Sequence, residues 1–395
     1  MRDQKSGGHG TTAALLLFQL TAFVTPWLCV LWLSFQNDVA GVANYSYLLA
    51  IFAPLSLLLA SPSRTYLLST QSLADPEVRG VRLLLLITGC GVAFMIGLVE
   101  GAVLLAMAVY LAKITEFAFD VPIAAKLRNR HAGKLSLLAL TKVLAIGAAV
   151  ALVWFSQNLT VGLLGVSLLF VVCAWGRGFF QLTVPRNFTV TLSRLLPLSL
   201  TALMFSVYFN IPRYLLGSND QDGTLAIFTI SSFLLTALLV INNAVCQAGL
   251  PGWARAVQQG ERRGLIISLA KSVAVAVLLY VALQLFQLPV LYDLFWQAHN
   301  NLQRLDPAYP DVYRWVLLLA IGPLLFSFAN YLLICTQQHK PLLGITVMNA
   351  AVTALFSYAG LIYSGFIAVL FVLSLSGLVH FAMCGVLFHR AVRTV

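Results

Sequence analysis

Apolar runs long enough to cross a bilayer recur along the whole chain, parted by short loops that hold most of the charge. No other feature restricts the fold as much. A hydrocarbon core about 30 Å thick takes about 20 apolar residues of α-helix. Runs of that kind lie near Thr12–Phe35, Ala40–Ala60, Val81–Leu98, Ala102–Phe119, Leu135–Phe155, Leu159–Trp175, Leu196–Leu216, Thr224–Val245, Gly264–Phe286, Val312–Cys335, Leu342–Tyr363 and Phe366–Phe388. They predict an all-α integral membrane protein with twelve transmembrane helices. The third and fourth are parted only by Glu100-Gly101, which requires a tight hairpin. With the N-terminus placed inside, only Arg213, Arg304 and Arg314 of the 24 basic residues fall outside. That bias is the positive-inside pattern, and it puts both termini in the cytoplasm.

Composition excludes other classes. Apolar residues make up 60% and charged residues 9%, against about 45–50% and about 25% in soluble domains. The net charge of +11 sits in loops between apolar runs, not on one face with interleaved aromatics, so nucleic acid is not an expected partner. Cys29, Cys90, Cys173, Cys246, Cys335 and Cys384 all lie within apolar runs and lack metal-ligand spacing, which marks them as packing residues. No metal or cofactor is implied. The run from Thr11 is too long for a signal peptide and reads as the first membrane helix. Trp154, Trp175, Trp253, Trp296 and Trp315 lie near predicted span ends, where amphipathic rings suit the headgroup level. Glu116–Leu135 and Pro251–Arg263 are mixed apolar and basic, which fits either surface helices or solvated loops. Leu291–Tyr313 forms a long irregular outer loop.

A repeat organises the chain further. Asn37-Asp38-x-x-Gly41 and Asn219-Asp220-x-x-Gly223 follow the first and seventh spans. The words after them, Val42 to Ser46 and Leu225 to Thr229, correspond at nearly the same offset. Six spans separate the two copies. An even number gives a parallel repeat: two six-helix lobes, 1–190 with helices 1–6 and 191–395 with helices 7–12.

The sequence holds no phosphate loop, metalloprotease motif or nucleophile elbow, so it does not read as an enzyme. Function falls to polar groups within the spans, and these have one sign. Arg64 follows the second span, Lys142 and Lys271 lie about two turns into the fifth and ninth, and Arg213 is near the outer end of the seventh. No Asp or Glu lies in mid-span. Basic residues in a cavity suit an anion, whereas snorkelling to headgroups is their ordinary alternative. Pro26, Pro197 and Pro212 are candidate hinges because proline removes a helix hydrogen bond. His380, midway through the last span, is a candidate coupling residue, although a lone histidine in a bundle also serves as packing.

Asn210-Ile211-Pro212-Arg213-Tyr214 with Gly217, then Gln247, Pro251, Ala254, Gly260 and Glu261, resemble segments of bacterial polysaccharide flippases. So do Ala50, Pro54, Arg64 and Leu67 in the first half. This is the O-antigen flippase-like branch of the multidrug/oligosaccharidyl-lipid/polysaccharide exporter (MOP) superfamily; Ala226 stands where that branch has glycine. The resemblance implies a monomeric flippase of the bacterial plasma (inner) membrane. It would move a polyprenyl-pyrophosphate-linked oligosaccharide outward by alternating access, beside glycan polymerase and glycosyltransferases. Arg64 and Arg213 would bind the pyrophosphate, helped by Lys142 and Lys271, while Asn210, Gln181 or Asn330 would meet sugar hydroxyls. The alternatives are a small-solute or multidrug antiporter of the same superfamily and a polytopic O-antigen ligase or polymerase.

Overall fold

All twelve apolar stretches are helical in the computed structural model, which describes residues 7–36, 38–60, 63–69, 75–119, 123–124, 132–175, 188–219, 221–288, 290–291 and 309–393. In chain order the helices are α1 (Gly7–Phe35), α2 (Val39–Ala60), α3 (Ser63–Ser69), α4 (Asp75–Val99), α5 (Val103–Glu116), α6 (Ala132–Ser156) and α7 (Leu159–Trp175). They continue as α8 (Phe188–Gly217), α9 (Asp222–Gln258), α10 (Arg262–Gln284), α11 (Tyr309–Leu318), α12 (Ile321–Cys335), α13 (His339–Ser364) and α14 (Phe366–Arg393). Among the described residues nine segments are long and apolar enough to cross a membrane, and three shorter apolar helices, Leu84–Val99, Val103–Thr115 and Leu159–Val172, fill the remaining stretches. Leu104, Phe155, Leu278 and Leu355 are exposed, a surface suited to hydrocarbon and costly in water. The chain is an all-α, polytopic membrane protein.

Contacts divide the chain into two units, residues 1–25 with 51–203, and residues 26–50 with 204–395. In the first, α5 packs against α4 and α7, and α6 against α7. In the second, α14 packs on α12 and α13, and α9 on α10, α11 and α12. The expected lobes, 1–190 and 191–395, differ from these units by residues 26–50 and 191–203. α1 passes between units at Thr25–Pro26 and α2 at Ala50–Ile51.

Three local features depart from the sequence reading. The tenth stretch breaks at Leu319–Ala320 into α11 and α12, just before Gly322-Pro323, where proline supplies no N–H to continue the ladder. α9 runs on to Gln258 through Pro251, so the first part of Pro251–Arg263 is a continuation of the span. It ends at Gly260, whose φ of +69° permits the left-handed turn in which Glu261 N–H donates to the Ala256 carbonyl at 2.9 Å. Trp253 is accordingly buried, not a headgroup anchor, and its indole N–H donates to Ser268 Oγ at 2.8 Å. Half of Glu116–Leu135 and most of Leu291–Tyr313, with Trp296, lie outside the described residues.

α12 and α14 meet backbone to backbone. A Cβ on Gly322 would collide with the Ser374 backbone, and one on Gly377 with Gly322. Small residues at such a crossing permit the close approach on which helix association in lipid depends.

Candidate functional site

Within the second unit, the polar groups begin at Pro212. The missing proline N–H leaves the carbonyl one turn earlier without its helical partner, and Arg213 follows at once. This guanidinium is buried. One terminal nitrogen donates to Asn210 Oδ1 at 2.7 Å and the other to Ser232 Oγ on α9, also at 2.7 Å. Its face lies 5.4 Å from the Phe228 ring centroid, and its Nε has no hydrogen-bond partner. Asn210 is fixed in turn by donating to the Ser206 carbonyl at 2.8 Å, and Ser232 by donating to that of Thr229 at 2.8 Å. No carboxylate among the described residues is hydrogen-bonded to Arg213. Neutral acceptors and the carbonyl end of α8, four residues on, provide the partial negative charge it meets. Tyr214 Oη donates to the Ala50 carbonyl at 2.6 Å, and Ser46 and Thr229 share a hydrogen bond of 2.5 Å.

A second group belongs to the same unit. His380 of α14 is fully buried, with its ring parallel to that of Phe326 at 3.7 Å between centroids and 2° between planes. Tyr208 stacks on Phe326 at 4.4 Å, and its hydroxyl donates to the Leu373 carbonyl. The imidazole Nε2 lies 3.0 Å from Asn330 Oδ1 and 3.4 Å from Cys384 Sγ, while Nδ1 has no hydrogen-bond partner.

In the first unit, Lys142 of α6 is 1% exposed, which rules out a snorkelling side chain. Its ammonium lies 4.2 Å from the Phe18 ring centroid and 5.5 Å from that of Phe170. Phe119 meets both rings edge-on. A desolvated cation–π contact contributes about 2 kcal/mol.

The remaining predicted residues are dispersed. Arg64 of α3 is half-buried, and Lys271 of α10 is exposed. Pro26 and Pro212 are buried, and Pro197 is half-buried. Of the predicted set, Asn210, Pro212 and Arg213 stand together, as do His380 and Asn330. Gln181 lies outside the described residues. Ser232, Phe228, Phe18, Phe170 and Phe326 were not anticipated. Thr229-x-Ser231-Ser232 in an otherwise apolar run carried a signal for the first; the phenylalanines, ordinary in any span, carried none. Among the described residues no group of three or more His, Cys, Asp or Glu is placed to hold a metal.

No protein-family model matches the chain, and no curated protein matches it in sequence. Solved structures do match. A MATE transporter in complex with MaL6 superposes with a TM-score of 0.71 at 13% identity, covering 98% of this chain and 97% of that one. A MOP-superfamily transporter from Pyrococcus furiosus, whose binding pocket is described as having reverse polarity, gives 0.68 at 14%, covering 98% and 96%. A multidrug-resistance MATE family transporter in an outward-facing conformation gives 0.67 at 14%, again covering 98% and 96%.

These matches correct the flippase expectation, together with its lipid-linked oligosaccharide substrate, its polysaccharide, lipopolysaccharide and O-antigen setting, and its polymerase and glycosyltransferase partners. The likeness runs to multidrug transporters, and the residues behind the earlier resemblance have local structural tasks. Asn210 holds Arg213, Tyr214 ties α8 to α2, and Gly217 faces Tyr47, whose ring a Cβ would meet at 2.6 Å. Such residues report how α8 packs, not which headgroup is carried. This chain is an all-α, multi-pass membrane protein with the fold that the MATE and MOP-superfamily transporter structures have.

Proposed function

We propose that this protein is a small-solute antiporter of the MOP type, that it works by alternating access, and that its solutes are anionic or neutral and not cationic. The observation that carries the solute class is the sign of the buried charge. Among the described residues the buried permanent charges are Arg213 and Lys142, and no Asp or Glu is buried. In a low-dielectric interior a fixed charge acts over a longer range than in water, so these cations favour anions and oppose cations even where their own donors are engaged.

Twelve spans in two lobes related by a parallel repeat complete the proposal. The bond between Ser46 and Thr229, 183 residues apart, supports the repeat, because the aligned words put these residues at equivalent positions. Equivalent positions meet only near the axis that relates two copies. Pro26, where α1 leaves one compact unit for the other, and Pro197 and Pro212 in α8 are the proposed bending points, and membrane lipid is the partner of the exposed apolar surface.

Counterflow in proteoliposomes tests the proposal. Lucifer yellow, a permanently anionic dye, is expected to exchange at least about fivefold faster than in protein-free liposomes. Exchange at the protein-free rate for Lucifer yellow and for the cation ethidium would contradict it.

A further inference from the structure

An antiporter needs a second ligand site, and the usual candidate, an intramembrane carboxylate, is missing: none of the 13 acidic residues lies in the middle of an apolar run. His380 does. We infer that His380 is a proton-binding site that couples a proton gradient to solute movement, an inference that rests on the antiporter reading above.

The geometry prepares one nitrogen for a proton. With the Asn330 oxygen toward it at 3.0 Å, Nε2 carries hydrogen and donates. Nδ1 then holds a bare lone pair in a fully buried ring, and no donor meets it. A proton arriving at Nδ1 forms no covalent bond other than N–H and needs no co-reactant. The imidazolium produced keeps its donation to Asn330 and gains a cation–π contact with the Phe326 face it already stacks on at 3.7 Å.

No fixed charge touches the ring to settle the protonation state in advance. From α8 the titratable neighbour is Tyr208, through the Phe326 stack, and the buried cation Arg213 lies about 7.5 Å further along that helix. On α12, Tyr331 accepts from Gln247 and Cys335 donates to the Leu332 carbonyl. From α13 the same cluster receives Ala350; His339 and Lys340 lie about 15 Å along that helix, and Tyr358 about 12 Å, at about 1.5 Å per residue. On α14 itself Cys384 touches the ring, while His389, Arg390 and Arg393 follow about 13–20 Å further on. On α11, Asp311 and Arg314 are exposed. A proton on His380 therefore adds an uncompensated charge to a unit that already holds the buried cation Arg213, a costly state in lipid unless the conformation changes to admit water or a counter-charge. That cost ties proton occupancy to conformation.

The test uses full-length protein in liposomes with entrapped Lucifer yellow, comparing efflux with and without an inwardly directed proton gradient. The inference predicts that the gradient stimulates wild-type efflux at least about fivefold and that His380→Gln lowers this ratio to about one. Asn330→Asp places a carboxylate against Nε2 and stabilises the imidazolium, so the pH midpoint of efflux moves upward by about one unit or more. That second readout stands even if His380→Gln does not fold, and a purely structural histidine would not produce it. Gradient-free exchange without stimulation, an unchanged ratio in His380→Gln, or an unmoved midpoint in Asn330→Asp overturns the proton site and leaves the transporter reading intact. Wild-type protein with no exchange of Lucifer yellow overturns both.

Discussion

Single residues here show why a buried cation is not by itself a binding site. Arg213 and Lys142 were singled out as costly charges near hydrocarbon, and the structure supplies each with local compensation: an amide and a hydroxyl for the first, aromatic faces for the second. A hydrogen bond to a charged group contributes about 1.5–3 kcal/mol, so Ser232→Ala should lower unfolding stability by about that amount. Thermal unfolding in detergent checks it, and a loss below about 0.5 kcal/mol would show that the bond contributes little. Arg213 and Asn210 were legible because they are polar residues in an apolar run. Their partners were less so, because Ser232 lies in another helix and an aromatic neighbour of Lys142 looks like any other lipid-phase phenylalanine. Lys271 is the reverse case: of its two readings, cavity-facing or snorkelling, its place on the exposed face of α10 agrees with the second.

At the level of elements, the apolar runs translated almost directly into helices, since hydrocarbon leaves the backbone few other ways to satisfy its polar groups. Ends and breaks were harder. α9 runs past its expected end at Val245 and through Pro251, which a long membrane helix can accommodate. The break between α11 and α12 was missed because no charge lies between Arg314 and Cys335 to mark it. The crossing of α12 and α14 makes a sharper prediction. Gly322→Val inserts a side chain where the Ser374 backbone already lies, and should lower the melting temperature by several degrees or prevent folding. Gly385→Ala on the same α14, with open space around its Cβ position, should leave it within about a degree. Equal effects at the two sites would contradict close backbone contact as the determinant.

For the whole molecule, the fold was legible and the flippase reading was not borne out. Charge bias, span number and the duplicated turn all describe how a chain is threaded through a bilayer, and the all-α fold they implied is the one that the MATE and MOP structures share with this chain. Which solute a member carries depends on a few interior side chains, and the short words around Arg213 that suggested a polysaccharide flippase are occupied with packing. What the interior does declare is its sign, positive and without buried carboxylate among the described residues. The most direct test is therefore the ratio of Lucifer yellow to ethidium counterflow in proteoliposomes, measured for wild-type protein and for Arg213→Gln. The account predicts a ratio well above one for the wild type and a fall of about fivefold or more in the variant. Faster ethidium exchange by the wild type, or a ratio indifferent to Arg213, would contradict it.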